Sequence, residues 1–85
     1  MKEITYTIND ELGLHARPTG MLVKLCAGFK SNIKISTEKK AGDAKKIFSV
    51  MSLGAKCGEL LTFTIEGEDE EAVATSLASF LTENL

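Results

Sequence analysis

A chain of 85 residues, 44% of them apolar, holds enough material for one compact domain and too little for two. A domain this small buries only about 60% of the surface its unfolded chain exposes, so a cavity enclosing a metabolite would consume core it can hardly spare. The formal charge of −2 and a pI near 5.3 argue against a nucleic-acid binder, which gathers a basic excess on one face.

Ile4, Tyr6 and Ile8 alternate with Glu3, Thr5 and Thr7, the period of a strand with one face on a core. A polar turn, Asn9 to Gly13, leads to Leu14, His15, Ala16, Arg17 and Pro18, where the spacing becomes helical. At about 100° per residue, Pro18, Leu22, Leu25, Cys26 and Phe29 share a core face, and Arg17, Gly20, Met21 and Lys24 share the outer one. Gly28 weakens the last turn, and Ile33 and Ile35 alternating with Lys34 and Ser36 predict a second strand. A short third strand is expected near Lys40 to Ala44.

Lys46 to Leu53 suits two helical turns, with Ile47, Val50 and Leu53 toward the core, Phe48, Met51 and Ser52 pointing away, and Gly54 as the stop. Cys57 and Gly58 mark a turn before a fourth strand, in which Leu61, Phe63 and Ile65 alternate with Leu60, Thr62 and Thr64. Beyond Gly67 the acidic turn Asp69, Glu70 and Glu71 complements a helix dipole, and Val73, Ser76, Leu77, Phe80 and Leu81 repeat at helical spacing. The order βαββαβα describes an α+β open-faced β-sandwich: a four-stranded antiparallel sheet with three helices on one face, in a single domain over 1–85.

The lysines at 39, 40, 45 and 46 read as a solvated loop. No signal-like start and no run of about 18 apolar residues is present, which predicts a cytoplasmic protein without membrane insertion. Cys26 and Cys57 lack CxxC spacing and lie far in sequence from the sole histidine, so neither zinc nor a disulfide framework is suggested and both thiols read as small hydrophobes. No cofactor and no metal are expected.

The chemistry concentrates at Gly13 to Pro18. Pro18 suits a first helical turn, where its missing N–H has no intrahelical partner and its φ is already helical, so His15 stands at or just before the helix start. Histidine or alanine in place of Ser, Thr, Asp or Asn as cap gives up on the order of 1 kcal/mol. The free backbone N–H groups and the positive end of the dipole suit an anion such as phosphate. Neutral imidazole offers one ring nitrogen as a nucleophile, and Arg17 offers a charged fork for phosphoryl oxygens. The plainer alternative is a solvated surface histidine, with Arg17 merely pairing with Asp10 or Glu11. Gly20, Met21 and Lys24 on one helix and Phe48 and Met51 on the short one would make a small apolar docking patch, which implies a protein partner.

Over nearly its whole length the sequence resembles the HPr family, the histidine-containing phosphocarriers of the bacterial phosphoenolpyruvate-dependent sugar phosphotransferase system. The resemblance is carried by GLHARP at Gly13 to Pro18, LVK at Leu22 to Lys24, KIFSVMSLG at Lys46 to Gly54 and EGEDE at Glu66 to Glu70. It implies that His15 takes a phosphoryl group on Nδ1 from phosphorylated Enzyme I and passes it to Enzyme IIA domains, with Arg17 stabilising the group. It also implies that Gly20, Met21, Lys24, Ile47, Phe48 and Met51 form the partner interface, that the fold is the open-faced sandwich, and that the chain is a carrier and not an independent enzyme. The members common in low-GC Gram-positive bacteria carry a regulatory serine immediately before the position of Ile47, where this chain has Lys46. The alternatives are a regulatory docking module of the same fold without phosphotransfer, and an acyl carrier, whose all-helical bundle the alternating strands contradict. A monomer is expected, with regulatory proteins as further partners.

Overall fold

The computed structural model describes residues 1–85 as β1 (Lys2–Thr7), α1 (Ala16–Ala27), β2 (Asn32–Ser36), β3 (Ala41–Asp43), α2 (Ile47–Met51), β4 (Leu60–Glu66) and α3 (Glu70–Asn84). The order is the one expected, and the strands form one antiparallel sheet in the spatial order β1-β4-β2-β3. The central strand, β4, pairs Phe63 with Ile4 on one side and with Ile35 on the other. Side chains alternate across a strand, so this register stacks Ile33, Ile35, Leu61, Phe63 and Ile65 on one buried face.

The opposite face carries Thr5, Thr62, Thr64, Lys34 and Ser36, none of them buried, and is open. The helices cover the buried face. Leu22 and Cys26 of α1, Val50 of α2, and Val73, Leu77 and Leu81 of α3 join the sheet residues in one core. The chain is therefore an α+β open-faced sandwich, with α1 and α2 packed side by side.

Three expectations need correction. Ile47 is 40% exposed, not turned to the core, because α2 has only five residues and Val50 and Leu53 already fill its inward side. Cys57 is exposed, not a buried hydrophobe, since it lies in the turn that precedes β4. Leu25 and Phe29, half-buried, pack against the core as their helix face requires, and Thr19 joins that face wholly buried, its hydroxyl donating to the Leu14 carbonyl at 3.4 Å. Finally, two of the loop lysines act structurally: Lys45 Nζ donates to the Phe29 carbonyl at 2.8 Å and Lys40 Nζ to that of Ser52 at 3.3 Å. Both carbonyls lie just past a helix end, where partial negative charge collects.

Candidate functional site

The loop that delivers His15 is held from several directions. The Leu85 carbonyl oxygen accepts the N–H groups of Asn9 and Asp10 at 2.6 and 2.8 Å, Gly13 N–H donates to Asp10 O at 2.9 Å, and Leu14 N–H donates to Ala55 O at 3.0 Å. Asp10 also turns its carboxylate back on the loop, with Oδ1 accepting the Leu12 N–H at 2.9 Å. Gly13 closes the turn at φ +67°, a left-handed conformation that favours glycine.

His15 is the N-cap of α1, with extended φ −86° and ψ 176°, and no side chain caps the helix. Its carbonyl accepts the Thr19 N–H at 3.1 Å, which starts the helical ladder. Pro18 has no N–H to leave orphaned, so the helix start presents the N–H groups of Ala16 and Arg17, neither of which has a partner within the chain. These two donors and the dipole form the anion-favouring end of α1.

The imidazole is about one-third exposed, and its Nε2 stands 3.4 Å from Asp10 Oδ2. The Leu12 N–H holds the Asp10 carboxyl below the ordinary carboxylate range, against an upward pull from partial burial, and the His15 ring adds to the lowering. Arg17 does not pair with Asp10 or Glu11. Its side chain is exposed, and the chain's ion pairs join Met1 to Glu70, Lys2 to Glu71 and His15 to Asp10. The guanidinium is thus free beside the helix start.

Met21 on α1 and Ile47, Phe48 and Met51 on α2 are all exposed apolar side chains, Phe48 to 85%. Gly20 is half-buried with open space beyond it, and Lys24 is exposed. α1 and α2 are in contact, so these exposed residues stand on adjacent helices. A depression lined by Asn32, Lys34, Gly42, Asp43, Thr64 and Glu66 among others lies on the open sheet face and includes none of these residues. Burial pushes the Cys26 thiol up to about 12, which leaves it an inert core group.

Residues 2–83 match the family model described as the PTS HPr component phosphorylation site. The chain belongs to the HPr family of the phosphotransferase system. It is similar to the phosphocarrier protein HPr of Lysinibacillus sphaericus, at 45% identity over 83 residues, 98% of this chain and 94% of that one. HPr of Thermoanaerobacter tengcongensis superposes with a TM-score of 0.91 at 36% identity, over 96% of this chain and 92% of its own. The catabolite repression protein Crh of Bacillus subtilis, described as a dimer with a swapping domain, superposes at 0.76 and 30% identity, over 94% and 92%. An HPr phosphocarrier has the fold seen here, and no helix of this chain is long and apolar enough to cross a membrane.

The residues singled out from the sequence fall on two neighbouring helices: His15 and Arg17 at the start of α1, Gly20, Met21 and Lys24 along it, and Ile47, Phe48 and Met51 on α2. Sequence reasoning named Asp10 only as a mate for Arg17 and passed over Leu12, a large apolar side chain 73% exposed in the same loop. Asp10 could have been found from the Asp-x-x-Gly turn, which bends the carboxylate back toward whatever follows Gly13.

Proposed function

We propose that this HPr-family chain accepts a phosphoryl group on Nδ1 of His15 from phosphorylated Enzyme I and transfers it to Enzyme IIA domains in sugar uptake. The carrying observation is that the sole histidine sits on an uncapped helix start beside two unpartnered N–H groups and an unpaired arginine. In the transfer, the Nδ1 lone pair forms the bond to phosphorus while the donor's bond to phosphorus breaks and its electron pair stays on the donor. The ring becomes cationic and keeps its Nε2 proton. The Ala16 and Arg17 N–H groups and the Arg17 guanidinium take the phosphoryl oxygens, and the reverse displacement on a IIA domain regenerates neutral His15.

The chain is a carrier, not an independent catalyst, because neither a metal cluster nor a Gly-rich phosphate loop accompanies His15 to bind and turn over a small substrate. Gly20, Met21, Lys24, Ile47, Phe48 and Met51 serve as the surface against which Enzyme I and the IIA domains dock. We assign it to the cytoplasm, as one domain over 1–85. The working state is a monomer, since its core closes within a single chain, and light scattering decides between this and the swapped dimer described for Crh.

Lys46 stands where Gram-positive relatives place a regulatory serine, so serine-based catabolite control is absent. The nearby hydroxyls have structural work: Ser49 Oγ accepts the Asp43 N–H at 2.8 Å, and Ser52 Oγ donates to the Ser49 carbonyl at 2.8 Å. Kinase-dependent phosphorylation near Lys46 would overturn this point.

The test is the intact mass after incubation with phosphoenolpyruvate and Enzyme I, repeated on His15→Ala. A gain of one acid-labile phosphoryl group, absent in the variant, is expected. No gain, with the same Enzyme I active on another HPr, rejects the carrier and leaves the second reading, a regulatory docking module of the same fold without phosphotransfer.

A further inference from the structure

We propose that Asp10 is a positioning residue for His15: its carboxylate takes the Nε2 proton's hydrogen bond, holding the ring in the Nε2–H tautomer with the lone pair on Nδ1. The inference rests on the phosphocarrier reading for its consequence and on geometry for its substance. Nε2 lies 3.4 Å from Asp10 Oδ2, and an ionised carboxylate only accepts, so the nitrogen facing it must be the one that carries hydrogen. The carboxylate is itself fixed, because Oδ1 accepts the Leu12 N–H at 2.9 Å and the Asp10 N–H donates to the Leu85 carbonyl at 2.8 Å. The division of labour between the two oxygens leaves Oδ2 for the ring.

Two consequences follow for transfer. The nitrogen left bare is the one that points away from Asp10 and forms the bond to phosphorus. When Nδ1 spends its lone pair on that bond, the ring turns cationic with its Nε2 proton in place, and the carboxylate faces the positive charge as it develops. No proton crosses to Asp10 and none leaves the ring.

The argument predicts an unusual order of variants. In Asp10→Asn the amide oxygen keeps the Leu12 hydrogen bond and the amide NH2 takes the place of Oδ2. An NH2 group donates, so Nε2 must accept and the proton moves to Nδ1, the nitrogen needed for attack. In Asp10→Ala the ring is simply released to its own preference. A carboxylate that only shaped the loop would give the opposite ranking, with alanine the more damaging because the Leu12 N–H loses its acceptor.

The experiment is a pair of readings on wild type, Asp10→Asn and Asp10→Ala, each first shown folded by circular dichroism. Long-range proton–nitrogen NMR of the imidazole above neutral pH reports the tautomer, and quench-flow loading from Enzyme I and phosphoenolpyruvate reports the rate. The expected result is an Nε2–H fraction falling from wild type to alanine to asparagine, with loading slowed about two- to fivefold in alanine, the range of a part-exposed charge pair, and further in asparagine. Superimposable nitrogen spectra in all three proteins, or alanine slower than asparagine, overturns the assignment. The spectra need no phosphoryl donor, so failure of the wild type to load at all would reject the carrier reading alone, with the role of Asp10 still decided by the tautomer ratios.

Discussion

Gly13 lies so close to Ala55 that a methyl group on it would stand 2.6 Å from the Ala55 carbonyl oxygen and 2.8 Å from Lys56 Cα. Both neighbours are backbone and cannot swing aside, and the same carbonyl accepts the Leu14 N–H that precedes His15. Gly13→Ala therefore meets a clash in addition to the roughly 1–2 kcal/mol that a left-handed conformation costs an L-residue. We expect a loss of stability above that figure in urea unfolding, and slower loading of His15 because relief of the clash moves the loop that carries it.

A second dependence runs between α3 and the end of α1. Asp69 sits at the N-cap of α3 but spends its carboxylate across the chain: Oδ2 accepts the Lys30 N–H at 2.8 Å, and Oδ1 accepts both the N–H and the hydroxyl of buried Ser31. The Ser31 hydroxyl first, and the Lys30 N–H next, hold this carboxyl below the ordinary range. A carboxyl whose folded value is depressed stabilises fully above its unfolded value and loses that contribution as pH falls through the folded one. Urea midpoints should accordingly decline below about pH 4, with little slope from this group above about pH 6. Asp69→Asn should lower the midpoint at neutral pH and flatten the acid slope; an unchanged slope would remove Asp69 from the account.

These two contacts show why the sequence is legible in some places and silent in others. Alternation in Ile4 to Ile8 and in Leu60 to Ile65 reads directly, because a strand with one buried face repeats every two residues and the register of β1 on β4 follows from it. The helical stripe Pro18, Leu22, Cys26 is legible for the same reason at a period of 3.6. Ile47 is not: five residues of α2 complete less than two turns, and which apolar side chain turns inward depends on how the helix meets its neighbours. Thr19 counts as polar in any pattern, yet it is wholly buried once the Leu14 carbonyl takes its hydroxyl. His15 and Arg17 were visible as residue types at a helix start, whereas the approach of Asp10 to His15 depends on the backbone path through Gly13, which no periodicity encodes.

Lys46 is the N-cap of α2, with no side-chain hydrogen bond to the helix start and a positive charge against the dipole. Replacing it by Asp supplies an acceptor and reverses the charge. Lys46→Asp should raise stability by about 0.5–1 kcal/mol, read as a higher melting temperature, while Lys46→Ala recovers only the smaller electrostatic part.

Phe48 separates docking from folding. Its ring is 85% exposed, so Phe48→Ala removes almost no buried surface and should change stability by no more than about 0.5 kcal/mol. An aromatic anchor at the centre of an interface is worth about 2 kcal/mol or more, so the same variant should raise the concentration of chain needed for half-maximal loading by Enzyme I about thirtyfold. The maximal rate should hold, because the proposed role of the ring is to dock on the partner's surface and not to touch the phosphoryl group.

Arg17 should show the reverse division. Being exposed and outside every ion pair, its side chain contributes little to the folded state, and Arg17→Ala should melt within about 0.5 kcal/mol of wild type. On the proposed role, the variant loses a cation aimed at charge that develops on the phosphoryl oxygens, so the loss belongs in the maximal rate, by about two to three orders of magnitude, the range for removal of one preorganised donor. Arg17→Lys restores the charge but not the planar fork, and two phosphoryl oxygens held by one group need the fork. Lysine should therefore recover only part of the rate. Full recovery would mean that charge alone is required, and no loss in alanine would move the work entirely to the Ala16 and Arg17 N–H groups of the helix start, which no side-chain substitution removes.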